Sequence, residues 1–341
     1  MRPADKAIRV VIPCKEADAT IERCLCALVQ TCGSDIQVVV VDDGGNSVLD
    51  IMERRFPFSR IASVGETGAG ASRNLGARGF TGEVLVFVDA DVQVTSPDTI
   101  ATLIAPITGG KADATMGCYA SSRRNNLFET YKHAYLAYTY GNKTGELKNT
   151  FWTGLCAVKR EWFASLGGFK ECYAGAGPED IEFGVTLTRN GGRIRAVPEA
   201  QGTHLASLSF TGLIANDLRK GSEDVYIHWS RKIPLTNNRH VETADILAVA
   251  SGTLLMFCMP LSFLIGSVPM ILFAALYLIF RRKLLLKAFW RMGNLFFVGA
   301  ILLTFILDLV RACAIVIGTC LWGIDRATGG KRRPFLRPST L

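Results

Sequence analysis

Val86-Phe87-Val88-Asp89-Ala90-Asp91-Val92 decides how the rest of the chain is to be read. An unbroken apolar run rich in Val is what a strand buried on both faces of a parallel sheet requires, and this one ends in two carboxylates one residue apart. Side by side at a sheet edge they would repel unless a cation stood between them and a diphosphate, and ligation by hard oxygens selects Mg²⁺ or Mn²⁺. A pair of turn or capping aspartates has the same spelling, so the stretch has to be read with its neighbours.

Upstream, Ile8 to Ile12, Ile36 to Val41, Ser59 to Val64 and Val84 to Val88 read as buried strands, with helices over Thr20 to Thr31 and Ser72 to Gly79 between them. This alternation, continuing to about Thr203, predicts βαβ units around a mostly parallel sheet. Open sheets of this kind bind ligands beyond the carboxyl ends of their strands. Asp42 and Asp43 fall at such an end, before Gly44-Gly45, where a carboxylate can accept the imide N–H of uracil or the amine of guanine; a plain Asp-Gly turn reads the same way. The glycine-rich run Gly65 to Gly76 opens a helix and can set backbone N–H groups and Arg73 against phosphate or ribose, although it is neither G-x-G-x-x-G nor a P-loop. Downstream, Gly167-Gly168-Phe169 precedes Pro178-Glu179-Asp180-Ile181-Glu182, three carboxylates in four positions where a helix begins. One of them as a general base, or simply acids favoured by a helix dipole, fits that pattern. His204 either completes a metal shell or is structural.

Of 341 residues, 49% are apolar and 20% charged, which excludes a disordered chain, and the mean hydropathy of +0.25 is high for a wholly soluble one. The net charge of +8 would by itself suggest nucleic acid. Its distribution argues against that partner: residues 1–240 hold 27 Lys+Arg against 26 Asp+Glu, and residues 241–341 hold 11 against 4. Ten cysteines without a C-x-x-C pair or zinc spacing, behind an N-terminus lacking a secretory signal, predict free thiols and a cytosolic N-terminal body.

The chain changes character after residue 206. Phe210 to Trp229 has a helical apolar stripe flanked by Arg219, Lys220, Arg231 and Lys232, fitting a helix at a membrane surface or one packed on the body. Ile246 to Phe280 carries no charge and as one helix would measure about 52 Å, beyond the ~30 Å of a hydrocarbon core. A hairpin turning at Gly266-Ser267-Val268-Pro269 is therefore expected. A basic amphipathic connector follows (Arg281, Arg282, Lys283, Lys287, Trp290, Arg291), then Leu295 to Ile324, interrupted by Asp308 and Arg311 on one helical face, where they neutralise each other. Basic clusters at the connector and in the tail (Lys331, Arg332, Arg333, Arg337) both belong in the cytosol, which asks for an even number of crossings and so a second hairpin.

Taken in order, Ile12-Pro13 followed by Glu16, Val-Val-Asp-Asp-Gly, the glycine-rich loop ending Ser-Arg-Asn-x-Gly, D-x-D, Gly-Gly-Phe and Glu-Asp-x-Glu resemble the family 2 glycosyltransferases over roughly residues 7 to 206. The resemblance implies a GT-A fold, that is, a Rossmann-like, mostly parallel α/β catalytic domain, here followed by an α-helical transmembrane region. It also implies a UDP- or GDP-linked sugar donor, inverting transfer and Mg²⁺ or Mn²⁺. By position, Pro13, Glu16 and Asp43 would line base and ribose, with Asp42 supporting and Arg73 nearby. Asp89 would touch ribose or metal, Asp91 would bind the metal with His204, and Asp180 would be the base. Gly168, Glu179 and Glu182 would help to place acceptor or donor sugar. The expected organisation is a catalytic domain over 1–206, juxtamembrane helices over 207–243, a transmembrane hairpin over 244–281, the connector over 282–293, a second membrane segment or hairpin over 294–324 and a cytosolic tail over 325–341.

The Gln-x-x-Arg-Trp motif of processive polysaccharide synthases is missing, which disfavours long-polymer extrusion. Membrane segments after the catalytic body are also similar to polyprenyl-phosphate sugar synthases of the dolichol-phosphate-mannose type. Chemistry separates the acceptors. A lipid phosphate is already ionised at neutral pH, whereas a hydroxyl, which ionises only far above neutral pH, gains from a positioned carboxylate. The Glu179-Asp180-x-Glu182 cluster thus favours a hydroxyl of a lipid or lipid-linked saccharide at the cytosolic face, with Arg219, Lys220, Arg231 and Lys232 holding lipid phosphates. A polyprenyl-phosphate glycosyltransferase and a non-catalytic nucleotide-sugar-binding scaffold are the competing expectations.

Overall fold

The computed structural model describes residues 7–15, 19–31, 35–44, 47–63, 68–121, 126–141, 144–173, 177–205, 207–232, 242–289 and 293–329. Glu16, the loop segment 64–67, Gly175 and Ala176, Trp290, Arg291 and the basic tail lie outside these residues. The chain divides into two units, one of residues 1–120 and 140–206, the other of residues 121–139 and 207–334.

The first unit is a nine-stranded sheet with flanking helices. Its elements are β1 (Ile8–Cys14), α1 (Ala19–Thr31), β2 (Ile36–Asp42), α2 (Ser47–Glu53), β3 (Ser59–Ala62), α3 (Gly68–Ala77), β4 (Val84–Val88), β5 (Val92–Val94), α4 (Thr99–Thr108) and β6 (Ala114–Tyr119). After α5 (Leu127–Gly141) come β7 (Gly145–Leu147), β8 (Leu155–Lys159), α6 (Arg160–Ser165), α7 (Glu179–Arg189) and β9 (Ile194–His204). The four strands legible in the sequence are the parallel half, in the order β3-β2-β1-β4, with Ile8 opposite both Ile36 and Val84. Beyond β4 the sheet is mixed: β8 is antiparallel to β4 and β6, β9 is parallel to β6, and β5 and β7 lie antiparallel to β9.

The chain leaves β1 toward β3 on one side and returns to β4 on the other, so the strand order switches between β1 and β4, and the crevice beyond their carboxyl ends is the position where such sheets take ligands. That edge is held from beneath by Phe87, Phe163, Phe169 and Phe183, whose ring centroids are 5.1 to 5.7 Å apart in tilted and edge-on pairs. Phe87 lies two residues before Asp89, so the packed core sets where the first D-x-D carboxylate emerges.

The glycine-rich stretch is more helical than its composition suggests. α3 begins at Gly68, four residues before the expected start, and Gly76 sits so close to β1 that an added Cβ would lie 2.4 Å from Val11 Cγ1. Small residues here permit close helix–strand packing as well as a loop.

The second unit is helical: α5 up to residue 139, α8 (Phe210–Arg231), α9 (Thr243–Ile265), α10 (Val268–Leu284), a π-helical turn (Leu285–Phe289) and α11 (Asn294–Ala327). The segment 121–139, expected in the catalytic domain, belongs here because Phe128, Tyr131, Ala134, Tyr135 and Tyr138 fall on one helical face and join a core with Leu213, Leu303 and Leu307. The α9–α10 hairpin turns at Gly266 and Ser267 as expected. The second hairpin does not form: residues 294–327 are one continuous helix, in which Gly299, Gly318 and Gly323 all keep helical backbone. α9 and α11 are each long and apolar enough to cross a membrane by length and composition.

Arg281, expected to open the basic amphipathic connector, is buried among the helices. It is only 2% exposed and joins Asp308 through Nε at 2.7 Å and Nη2 at 2.5 Å, with Nη1 on Asp245. Arg311 extends the chain of charges to Asp308 at 2.9 Å, the pairing its spacing predicted, and to Asp217 at 3.0 Å; Lys132 donates to Asp217 at 3.0 Å and Tyr277 to Asp308 at 3.0 Å. Three carboxylates and three cations thus balance, as buried charges must to remain ionised.

Candidate active site

The sequence-predicted carboxylates gather at the strand ends of the first unit. Asp42 is buried and accepts from Arg60 Nη2 at 2.5 Å and Gly44 N at 3.2 Å. Asp43, also buried, accepts from Gly68 N at 2.8 Å and Ser63 Oγ at 2.7 Å, tying β2 to the first turn of α3. Pro13 lies in β1, one strand over, where Cys14 pairs with Asp42 in register.

Arg73 is the cation at the centre. Its Nη2 donates to Asp89 Oδ1 at 2.7 Å and its Nη1 to Glu179 Oε1 at 3.1 Å, 106 residues away in sequence, so one guanidinium joins the strand-end D-x-D to the first turn of α7. Burial works against the Arg73 charge, but Asp89 and then Glu179 more than reverse this and hold it as a cation. Burial pushes the Glu179 carboxyl up, with Arg73 pulling the other way. Among the described residues Arg73 Nε and Glu179 Oε2 have no hydrogen-bond partner, leaving polar capacity next to Asp89. The sequence suggested that Arg73 faces phosphate or ribose; in the structure it is buried and supports two carboxylates.

Asp91 meets His204 on the open side. β5 and β9 run antiparallel with Val92 opposite His204, Leu205 N donates to Asp91 O at 2.7 Å, and His204 Nε2 lies 3.2 Å from Asp91 Oδ2. Both side chains are partly exposed, at 34% for Asp91 and 22% for His204. Among the described residues no three carboxylate, imidazole or thiol groups converge as a ready-made metal shell. An Asp–His pair still fits a divalent cation that takes one or two protein ligands and completes its sphere with phosphate oxygens and water. Asp89, expected to touch ribose or metal, directs one of its oxygens to Arg73.

The acidic turn of α7 splits into three environments. Glu179 is buried on Arg73, and Glu182 is buried and accepts from Tyr173 Oη at 2.7 Å. Asp180 is half-buried and accepts from Ile181 N at 2.7 Å. Gly168 adopts φ +70, and an added Cβ would lie 2.5 Å from Asn74 Oδ1. Asn74 itself accepts from Phe169 N at 2.9 Å and donates to Phe169 O at 2.8 Å, locking the Gly-Gly-Phe turn to α3. Gly168→Ala is expected to destabilise the chain by about 2 kcal/mol, from the left-handed backbone and the displaced Asn74, read as a lower urea midpoint; an unchanged midpoint would remove this role for Gly168.

Sequence reading passed over an aromatic wall behind His204. Tyr119 packs edge-on to His204 at 5.3 Å and to Trp152 at 4.5 Å, and Tyr140 stacks at a tilt on Trp152 at 4.7 Å. Burial raises the Tyr119 phenol well above its ordinary pKa, with Asp89 and Asp91 adding to the effect, so it stays neutral beside the carboxylates. The only signal in the sequence was Trp152-Thr153-Gly154, where Gly154 is needed because a Cβ there would lie 2.3 Å from the Trp152 ring.

Comparison with known proteins agrees with this geometry. Residues 9–167 match the family described as glycosyl transferase family 2, and residues 142–207 match a family described as the N-terminal domain of galactosyltransferase. The chain is 28% identical over 219 residues to validoxylamine A glucosyltransferase of Streptomyces hygroscopicus subsp. limoneus, covering 54% of this chain and 48% of that protein. It is 28% identical over 193 residues to polypeptide N-acetylgalactosaminyltransferase 8 of Drosophila melanogaster, covering 50% and 32%. The chain thus spans less than half the length of each. Among solved structures, mannosyltransferase PcManGT from Pyrobaculum calidifontis, determined with GDP-Man and Mn²⁺, superposes with a TM-score of 0.54 at 17% identity, covering 91% of this chain and 87% of that one. With the sheet order and the strand-end carboxylates in place, the first unit has a GT-A-like fold, and its residues 9–167 are similar to glycosyl transferase family 2.

Proposed function

We propose that the chain is an inverting, metal-dependent glycosyltransferase that moves a sugar from a UDP- or GDP-linked donor to a hydroxyl of a lipid or lipid-linked saccharide at the cytosolic face of a membrane. The observation that carries this reading is the meeting of Asp91 with His204 at 3.2 Å beside the Asp89–Arg73–Glu179 chain, at the switch point between β1 and β4. Support also comes from PcManGT, whose fold is shared and which holds GDP-Man and Mn²⁺.

In this reading Pro13, Glu16 and Asp43 line the base and ribose, and Asp42 braces Asp43 from behind. Arg73 fixes the direction of Asp89 from beneath, leaving its second oxygen for the ribose or the metal's surroundings. A divalent cation held by Asp91 and His204 would supply positive charge opposite the leaving diphosphate, in a site whose own side chains are predominantly acidic. Asp180 takes the acceptor hydroxyl proton as that oxygen attacks the anomeric carbon from the face opposite the diphosphate. Glu179 and Glu182, each tied to a buried partner, keep the first turn of α7 in position, with Gly168 shaping the neighbouring turn. The exposed Arg219 and Lys220, with Arg231 and Lys232, attract lipid phosphate; Arg219 also pairs with Glu223 at 2.8 Å.

Incubating the purified full chain with a panel of nucleotide sugars and extracted lipids, with products identified by mass spectrometry, tests the reading. The expected product is an acid-stable glycoside whose yield falls as salt rises. A labile lipid monophosphate sugar would replace the acceptor, and donor binding without transfer would replace the enzyme by a scaffold.

A further inference from the structure

The 34-residue α11 is the helix of this chain that most resembles a membrane span, yet it is partnered along its length by helices that carry charge. α5 runs beside its first half in the same direction. An added Cβ on Gly299 would lie 3.3 Å from Leu127, Tyr131 Oη donates to Thr304 Oγ1 at 3.1 Å, and Arg311 lies 4.7 Å from the Tyr135 ring. α8 takes over beside the second half: Arg311 pairs with Asp217 at 3.0 Å, a Cβ on Gly318 would lie 2.9 Å from Val225, Trp229 Nε1 donates to Thr319 at 3.1 Å and Tyr226 Oη to Asp325 at 2.9 Å. Over that length α8 carries Arg219, Lys220, Glu223, Asp224 and Arg231. Threading α11 through hydrocarbon would draw these charges in with it, which a bilayer strongly opposes.

The opposite face of α11 is apolar from end to end. Leu295, Val298, Leu302, Val316 and Ile324 are exposed on one stripe, and Ala300, Leu303, Leu307, Ala314 and Gly318 are buried on the other. A helix with one apolar face outward and polar partners behind it suits the plane of a membrane interface.

Tied at its base, the α9–α10 hairpin reaches no deeper than its shorter arm, although α9 alone is long enough to cross. Arg281 ties its base at one level, to Asp245 at the start of α9 and to Asp308 of α11. From there the apolar arm 268–280 is roughly 20 Å long, against a ~30 Å core. The tip exposes Phe263 by 95%, Leu264 by 83% and Val268 by 75%, and the whole stretch 246–280 lacks charge and Trp, so nothing at the tip suits a far headgroup layer.

We propose that the second unit is monotopic: α11 lies along one face of the bilayer with its 295–324 stripe in the acyl boundary, the α9–α10 hairpin dips into the hydrocarbon from that face and returns, and no described helix crosses. The occupant of the apolar surface is lipid, and the exposed cations Arg282, Lys283 and Lys287 just after the hairpin suit anionic headgroups. The inference rests on the membrane attachment proposed above. It places the ring of charges around Arg281 and Asp308 at the interface instead of in mid-bilayer.

The test uses the full chain in sealed membrane vesicles of both orientations from an expression host, a membrane-impermeant maleimide, and peptide mass spectrometry to read each labelled cysteine separately. Asn294→Cys and Ala327→Cys, at the two ends of α11, are expected to label from one and the same side. Ser267→Cys at the hairpin tip is expected to label from neither side until detergent is added. In the unsubstituted chain the stripe residues Cys313 and Cys320, exposed in the protein itself, are expected to be shielded in the same way, so the assay does not depend on the variants folding. Labelling of positions 294 and 327 from opposite sides, labelling of position 267 from the far side, or free labelling of Cys313 and Cys320 in intact vesicles would each overturn the proposal. Recovery of the chain in the soluble fraction, or as a soluble oligomer that hides these surfaces, would instead remove membrane attachment itself and the inference with it.

Discussion

Asp180→Asn is expected to lower sugar transfer by about 100- to 10,000-fold, the range a positioned general base contributes, while donor affinity stays within about twofold. The substitution keeps the size of the side chain and an oxygen able to accept from Ile181 N, so the first turn of α7 should persist. It removes the basic oxygen, and a hydroxyl acceptor cannot supply its own. Titration calorimetry with the donor nucleotide and a coupled release assay measure the two quantities separately. Near-normal turnover would sink the assignment. Glu179→Gln is the useful contrast: it weakens the charged contact to the buried Arg73 and frees that guanidinium from α7, so it should lower thermal stability as well as activity, whereas Asp180→Asn should lower activity alone.

The second large effect is on metal-assisted binding. Asp91→Ala removes one of two groups that face each other in the open part of the site, and should weaken Mn²⁺-dependent binding of UDP or GDP by 100-fold or more, since even outer-shell partners of metal ligands are worth about 10- to 100-fold. His204→Ala should act in the same direction by less, because the carboxylate charge remains. Calorimetry of each nucleoside diphosphate with Mn²⁺ and with chelator reads the effect without turnover. If the Asp91 variant binds the nucleotide as the parent does under both conditions, the cation sits elsewhere.

These predictions depend on a separation the local motifs do not contain. Asp89 and Asp91 are two residues apart and were read from sequence as one pair, yet they serve different neighbours: Asp89 turns to Arg73, and Asp91 to His204. Alternation along the chain puts residues 89 and 91 on the same side of an extended segment, but the partners arrive from α3 and from β9. In the same way, Glu179, Asp180 and Glu182 looked like one acidic cluster. Packing gave two of them buried partners and left the third partly open.

Topology shows the same division. Two hairpins and an even number of crossings were expected from the positions of basic residues, and the first turn was legible because Gly266 and Pro269 interrupt the apolar run. The second turn, asked for by the basic clusters, does not exist: Asp308 and Arg311 are held by Arg281 and Asp217 inside one continuous helix. A monotopic arrangement, with no crossing, also keeps the connector cations on the face where a positive-inside bias would have them.

By itself the sequence determined the elements whose physics is local: the Val-rich parallel strands β1, β2 and β4, the carboxylates at their ends, the acidic first turn of α7, and an apolar third carrying the basic excess. Each follows from periodicity, turn chemistry or charge within a window of some ten to thirty residues. Only the tertiary structure decided the mixed half of the sheet, whose strands β5, β6 and β8 are short or built from Ala, Cys, Gly and Met and carry little pattern of their own. It also decided the pairing of Arg73 with Glu179 and of Asp91 with His204, the membership of α5 in the helical unit, and the single helix at 294–327. Those outcomes depend on which surfaces meet after collapse, and long-range burial and charge pairing leave no trace in the spacing of neighbouring residues.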